Sequence, residues 1–158
     1  MKKLFLITFL TLLSLTTYSI SEAQKSLENT LKEFQAGKMI DSTDVESAVI
    51  APVFEKMTYK IKNITENENE ADIELGIKAV DLGIYMEEYA NTVQPSSSSK
   101  TAEENAIKFF TELKNRNNLK YIETDIIIRM EKTDGEWFIV NNDEIIDAIT
   151  GNLSNMFE

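Results

Sequence analysis

Apolar and polar residues alternate strictly from Ala71 to Ala79, and this pattern constrains the fold of the 158-residue chain more than any other. Successive side chains of a strand point to opposite faces, so the alternation predicts a strand with one buried face and one solvated face. The β-rich segment 58–65 (TYKIKNIT) precedes it, and the polar residues 67–70 lie between the two. We therefore predict a hairpin that ends near Val80.

A second hairpin is predicted near the C-terminus. One face of its first strand is predicted to carry Ile122, Thr124, Ile126, Ile128 and Met130, and Thr133-Asp134-Gly135 has the composition of a turn. The return strand at 136–141 (EWFIVN) then places Trp137 and Ile139 on its inner face.

Helical spacing of apolar residues predicts the segments around the two hairpins. The predicted helices cover 26–36, a stretch from 41–43 with a Thr43–Glu46 capping box and a break at Pro52, 82–93, a segment capped by Thr101, and a short segment capped by Asp143. Two of these helices lie between the hairpins. Helices segregated from an antiparallel sheet indicate an α+β fold.

The first 23 residues predict a secretory leader. Lys2-Lys3 is a basic head, Leu4 to Leu15 is apolar, and Ser21-Glu22-Ala23 places small residues at the −3 and −1 positions of a cut before Gln24. The apolar run is shorter than the roughly 20 residues that a membrane span needs. We expect residues 24–158 to form one secreted or periplasmic domain, the alternative being an uncleaved leader that acts as an anchor.

Two missing residue types exclude whole classes of function. The chain has no cysteine, which excludes a disulfide scaffold and lipidation at a cysteine after the leader. It has no histidine, which excludes Ser-His-Asp and Cys-His catalysis and zinc sites built on these residues. Carboxylates, lysines and tyrosines remain for chemistry, and we expect no cofactor and no metal. A formal charge of −11 also argues against nucleic acid and anionic membranes as partners.

Three segments resemble the NTF2-like superfamily, and more narrowly the small exported bacterial proteins related to lumazine-binding and SnoaL-like domains. They are 59–82 (YKIKNITENENEADIELGIKAVDL), 130–144 (MEKTDGEWFIVNNDE) and 147–153 (DAITGNL). The resemblance implies a curved, cystatin-like antiparallel sheet packed on N-terminal helices, with a hollow between them. Many relatives carry a lipidated cysteine, and the enzymatic ones place a histidine and an aspartate in the hollow. This chain has neither cysteine nor histidine, so their proton-shuttling chemistry does not carry over.

Four residues are candidates for contact with a ligand. Asp81 follows a strand and precedes a helix beside Tyr85, so it either lies at the mouth of the hollow or caps the helix. Tyr59 and Tyr121 either line an aromatic pocket or pack as ordinary core and edge residues. The polar cluster of Asn63, Glu66, Glu68 and Glu70 lacks the spacing and the glycine of a calcium-binding loop.

Three hypotheses follow for the function. The first is a non-enzymatic exported domain that binds a small molecule or an envelope protein through its hollow or its sheet face. The second is a hydrolase or isomerase of the SnoaL-like type that works with carboxylates and tyrosines. The third is a structural module that forms a homodimer through its sheet, whereas the other two allow a monomer.

Overall fold

The computed structural model describes residues 20–38, 45–92, 99–140, 142–151 and 153. In chain order the elements are α1 (Glu22–Gln35), α2 (Val45–Phe54), β1 (Thr58–Glu66), β2 (Glu70–Val80), α3 (Leu82–Thr92), α4 (Ser99–Lys114), β3 (Tyr121–Thr133), β4 (Glu136–Ile139) and α5 (Asn142–Ile149). The strands form one antiparallel sheet in the order β1-β2-β3-β4. The predicted α+β fold is confirmed, with two hairpins and two helices between them.

The alternation in β2 has the predicted cause. Ile73 and Leu75 are fully buried, whereas their neighbours Asp72 and Glu74 are exposed. β2 pairs with β3 without interruption from Glu70 opposite Glu131 to Val80 opposite Tyr121. This register places the even-numbered residues of β3 on the buried face, where Ile128 and Met130 have no exposed surface.

A β-bulge changes the facing of β1. The register against β2 shifts between Ile61 and Asn63, so that Ile64 pairs with the inward residue Ile73. Ile61 and Ile64 therefore both pack against the buried side although they are three positions apart. Strict alternation would have directed the polar Asn63 inward. The bulge avoids the free-energy cost of burying this amide side chain without hydrogen bonds.

Two clusters of buried residues hold the elements together. The sheet core lies between the inner face of the sheet and helices α1 and α5, and it contains Ala23, Leu27, Leu31, Ile73, Leu75, Ile77, Ile128, Met130, Ile145, Ala148 and Ile149 among others. The helical core joins α2, α3 and α4 and contains Val49, Val53, Phe54, Val80, Leu82, Tyr85, Phe110 and Leu113. Val80 ends β2 and Leu82 begins α3, so the chain passes from one core to the other at this point.

Glycines end two elements at positions where other residues would be strained. Asp134 and Gly135 have φ angles of 53° and 86°, which form the predicted turn of the second hairpin. Gly151, with φ 64°, follows α5, and a Cβ there would run into the carbonyl oxygen of Val80. The end of α5 can therefore lie against the end of β2 only because residue 151 has no side chain.

Several predicted boundaries are wrong. α1 begins at Glu22 rather than Ser26, α4 begins at Ser99 rather than after Thr101, and Pro52 lies inside α2 instead of breaking it. Packing explains the proline, since the next two residues are buried in the helical core and this offsets the one hydrogen bond that proline cannot donate.

Two further predictions concern the helix starts. α5 begins at Asn142, so Asp143 lies in its first turn instead of capping it. The predicted start of the second helix at 41–43 lies outside the described residues.

Replacing Leu75 with aspartate tests the facing of β2. The variant should lose cooperative unfolding, because a buried unpaired charge costs about 3–5 kcal/mol and a domain has about 5–15 kcal/mol in total. Circular dichroism during urea unfolding measures this. The control is Ile127→Asp on β3, where the parent side chain is 55% exposed and the change should be mild. A cooperative transition for Leu75→Asp at the parent's midpoint would contradict the assigned facing.

Candidate functional site

Three of the four sequence-predicted site residues lie together at one end of the β2–β3 ladder. The Asp81 amide donates to the carbonyl of Lys120 at 3.1 Å, and the Lys120 amide donates to the Tyr85 hydroxyl at 2.8 Å. Tyr121 follows and pairs with Val80. Tyr59 lies apart from them on β1, facing the sheet core.

Asp81 and Tyr85 make contacts that stabilise the fold. Asp81 Oδ1 accepts a hydrogen bond from the amide of Ile84 at 3.2 Å, the geometry of a cap on α3. Tyr85 is buried in the helical core, and the Arg116 guanidinium lies 5.8 Å from its ring centroid. The cap alternative for Asp81 is thus the one that has an observed hydrogen bond, and its role in ligand binding stays a prediction.

The other two tyrosines face different surroundings. Tyr121 is exposed on the outer face of the sheet, where the Lys78 ammonium lies 5.3 Å from its ring centroid. Burial raises the pKa of Tyr59 above its ordinary value, and the Glu28 carboxylate raises this pKa further. The Tyr59 hydroxyl therefore keeps its proton more firmly than a free tyrosine does. Among the described residues, neither tyrosine hydroxyl forms a hydrogen bond with a titratable side chain that could exchange a proton with it.

An ion pair crosses the outer face of the sheet near Tyr59. Gly76 has no side chain, and Lys62 on β1 reaches over it to Asp125 on β3. Lys78 and Glu123 form a second pair at 3.1 Å. The charges of the two pairs neutralise each other and the four side chains are well exposed, so this part of the outer face has the features of a solvated surface. Within the part of the chain that the structure describes, no three acidic side chains come together as a metal site.

Among the concave features formed by the described residues is a mostly apolar groove of about 420 Å³ between α1, β4 and α5. It is lined by Thr30, Phe34, Trp137, Phe138, Ile139, Ile145 and Ile146, and we call it the α1–α5 groove. Thr30 and Phe34 are one turn apart on α1, while β4 forms the floor. None of these lining residues is titratable, and the Thr30 hydroxyl donates to the carbonyl of Ser26 in its own helix at 3.2 Å.

Trp137 is held in place from several sides. Its carbonyl accepts a hydrogen bond from the Ser26 hydroxyl at 3.1 Å, and the Lys132 ammonium lies 5.6 Å from its ring centroid. Lys132 also pairs with Glu22 at 2.7 Å. The indole N–H is buried and makes no hydrogen bond of normal geometry with the described residues. The Glu22 carboxylate is a polar group that lies near this N–H. These contacts connect α1 to β4 at the floor of the groove.

Lys132 is the main cause of a lowered pKa at Glu22. Its hydrogen bond, then its charge, hold the pKa of the Glu22 carboxyl below its usual value, and the indole of Trp137 adds to this. Because the folded state favours the ionised form, this interaction stabilises the fold above the ordinary glutamate pKa and is lost as the pH falls.

The groove was missed by sequence reasoning, although a signal was present. Trp137 and Ile139 were assigned to the core, but the intervening Phe138 and the following Val140 are also apolar and are exposed. An uninterrupted apolar run (WFIV) in a strand with one solvated face indicates a second apolar surface. Ile146 on α5 gave no such signal, because its exposure depends on how α5 packs.

Comparisons with known proteins identify no family. No protein-family profile matches the chain, and no curated protein matches it. Among solved structures, the candidate lipoprotein ycdA of Bacillus subtilis aligns over 77% of this chain at 18% sequence identity, with a TM-score of 0.49. The alignment spans 44% of that protein's length. The NTF2-like resemblance therefore stays a prediction. No helix within the described residues is long and apolar enough to cross a membrane.

Replacing Glu22 with glutamine tests the Glu22–Lys132 pair. At neutral pH the variant should unfold at a lower temperature than the parent, because the parent's carboxylate is bonded to Lys132. The gap should close as the pH falls below the ordinary glutamate range, since the parent's carboxyl is then protonated as well. Lys132→Gln should show a similar loss at neutral pH, and the double variant should lose little more. Thermal unfolding followed across the acid range measures this, and a gap that is constant with pH would contradict the assignment.

Proposed function

We propose that this protein is an exported, non-enzymatic domain of NTF2-like fold that binds a small apolar ligand in the α1–α5 groove. The observation that carries the proposal is the groove itself, which combines aromatic and aliphatic walls with a volume of about 420 Å³. Sites for small molecules typically have volumes of roughly 300–1,000 Å³ and mostly apolar walls.

The chemistry of the lining supports binding over catalysis. General acid–base or nucleophilic catalysis needs a titratable or nucleophilic group within reach of the substrate. The described lining offers only the Thr30 hydroxyl, and the chain has no histidine or cysteine that could activate it. Asp81 and Tyr85, the strongest candidates from the sequence, are engaged in a helix cap and in a bond to Lys120.

The groove also indicates the class of ligand. Phe34, Trp137 and Ile145 offer apolar surface and no formal charge, so affinity must come from burying apolar area at about 25 cal/mol per Å². The net charge of −11 disfavours an anionic ligand. A neutral aliphatic or aromatic molecule fits both conditions.

The fold and the leader support the other parts of the proposal. Two hairpins separated by two helices, with α1 across the inner face of the sheet, match the order that the NTF2-like resemblance implies. The resemblance implies a hollow between sheet and helices, and the α1–α5 groove between β4 and two helices is compatible with this expectation. The basic and apolar character of residues 1–15 supports export.

The single tryptophan of the chain gives a direct test, because it lies in the groove. Titration with N-phenyl-1-naphthylamine, a neutral apolar probe, should quench Trp137 emission by energy transfer in a saturable way. Ile146→Glu should weaken this binding by about tenfold or more, equivalent to about 1.4 kcal/mol, because it places a charge at the groove.

Ile107→Glu is the matched control. Ile107 lies on α4 and is 46% exposed, against 47% for Ile146 on α5, and it does not line the groove. This variant should bind the probe like the parent. Absence of saturable quenching in the folded parent, or equal affinity in both variants, would overturn the proposal.

A further inference from the structure

The folded domain begins inside the segment that the sequence assigns to the leader. α1 starts at Glu22 and is capped by Ser21, whereas the predicted cut lies between Ala23 and Gln24. A cut at that bond would remove three residues, each of which makes a different structural contact.

Ser21 satisfies two amides of the first turn. Its hydroxyl oxygen accepts a hydrogen bond from the Gln24 amide at 3.0 Å, and its carbonyl accepts one from the Lys25 amide at 3.1 Å. Its backbone is extended, with φ −60° and ψ 156°, as an N-cap requires. Without Ser21 both amides lose these partners.

Ala23 belongs to the sheet core. It is 0% exposed and stands one turn before Leu27 and two turns before Leu31, which are also fully buried. These three residues form the stripe that α1 lays on the sheet. Without Ala23 the stripe is shorter by a turn, and its end is open to water.

Glu22 contributes through its charge. It pairs with Lys132 at 2.7 Å, and Lys132 in turn lies over the ring of Trp137. A carboxylate in the first turn is also favourable at the positive end of the helix dipole. A cut before Gln24 would replace it with a positive α-ammonium group at the same end of α1, where the dipole opposes it.

We propose that the leader is removed between Ser19 and Ile20, so that the exported domain begins at Ile20. This inference rests on the prediction that the chain has a cleaved leader, and it is independent of the proposed ligand. Thr17 and Ser19 supply the small residues at −3 and −1 that a leader peptidase needs. Hydrolysis consumes one water molecule, leaving the carboxylate of Ser19 on the leader and the ammonium of Ile20 on the domain.

The position of Ile20 fits a chain terminus. It precedes the cap, lies outside α1 and is exposed, so its ammonium group is hydrated and not held in the first turn of the helix. A cut after Ser21 also has small residues at −3 and −1, but it removes the cap. Of these three candidate bonds, only the one after Ser19 can be cleaved with every contact of residues 21–23 left in place.

The intact mass and N-terminal sequence of the full chain, recovered after export from a bacterial host, test the proposal. We expect a terminus that reads Ile-Ser-Glu-Ala. A terminus at Glu22 or Gln24, or retention of Met1, would overturn it.

Two variants of the full chain distinguish the cuts after Ser19 and Ala23. Ser19→Leu puts a bulky residue at −1 of the proposed cut and should leave the leader attached. Ser21→Asp keeps a good helix cap but puts a charge at −3 of the cut after Ala23, and its processing should match the parent. The opposite pattern would overturn the proposal.

The structural basis can be measured separately with purified chains. The chain 20–158 should have a clearly higher thermal midpoint than the chain 24–158, which lacks the cap, the Lys132 pair and the buried Ala23. Equal midpoints would show that residues 20–23 do not stabilise the domain, and would remove the basis of the inference.

Discussion

The ladder between β2 and β3 is the contact on which the rest of the molecule depends. It joins the two hairpins, although α3 and α4 separate these strands in the sequence. Its register decides which side chains of both strands face α1 and α5, and a slip of one residue would turn either Leu75 of β2 or Ile128 of β3 to the solvent. The sheet core exists because the alternation in β2 and β3 is in phase across this ladder.

The α1–α5 groove is a consequence of how the sheet ends at β4. β3 runs from Tyr121 to Thr133, but its partner covers only Glu136 to Ile139 before the chain turns into α5. α1 lies along this short edge strand. The Ser26 hydroxyl donates a hydrogen bond to the carbonyl of Trp137, so this carbonyl is less available for pairing with another strand. α5 packs on β2 and β3. Within the residues that the structure describes, the apolar surface between the two helices therefore stays uncovered.

Local signals predicted most of the secondary structure, and tertiary packing explains the failures. The alternation around Leu75 and the turn glycines Gly135 and Gly151 require only their immediate neighbours, so the hairpins and the end of α5 were predictable. Pro52 is tolerated inside α2 because of burial in the helical core, which no local pattern reveals. The bulge at Asn63 likewise follows from pairing with β2.

The candidate site could be predicted only in part, because a groove depends on where cover is missing. The junction of β2 and α3 at Asp81 was predictable from the sequence. So were the two interpretations of Asp81, as a residue that contacts a ligand and as a helix cap. The groove needs Phe34 from α1, Trp137 from β4 and Ile146 from α5, three elements whose separation is set by packing.

Residues 21–23 illustrate how two kinds of sequence signal can overlap. Small residues at Ser21 and Ala23 suit a leader peptidase, and the same residues suit the start of a helix, since serine caps well and alanine fits a close helix–sheet contact. A leader pattern is read from the chain alone, whereas the start of a domain is defined by contacts with distant residues. Here those contacts run from Glu22 to Lys132 and from Ser26, one turn later, to Trp137. They connect the first turn of α1 to the floor of the groove. The residue at which the domain begins therefore also affects the shape of the groove.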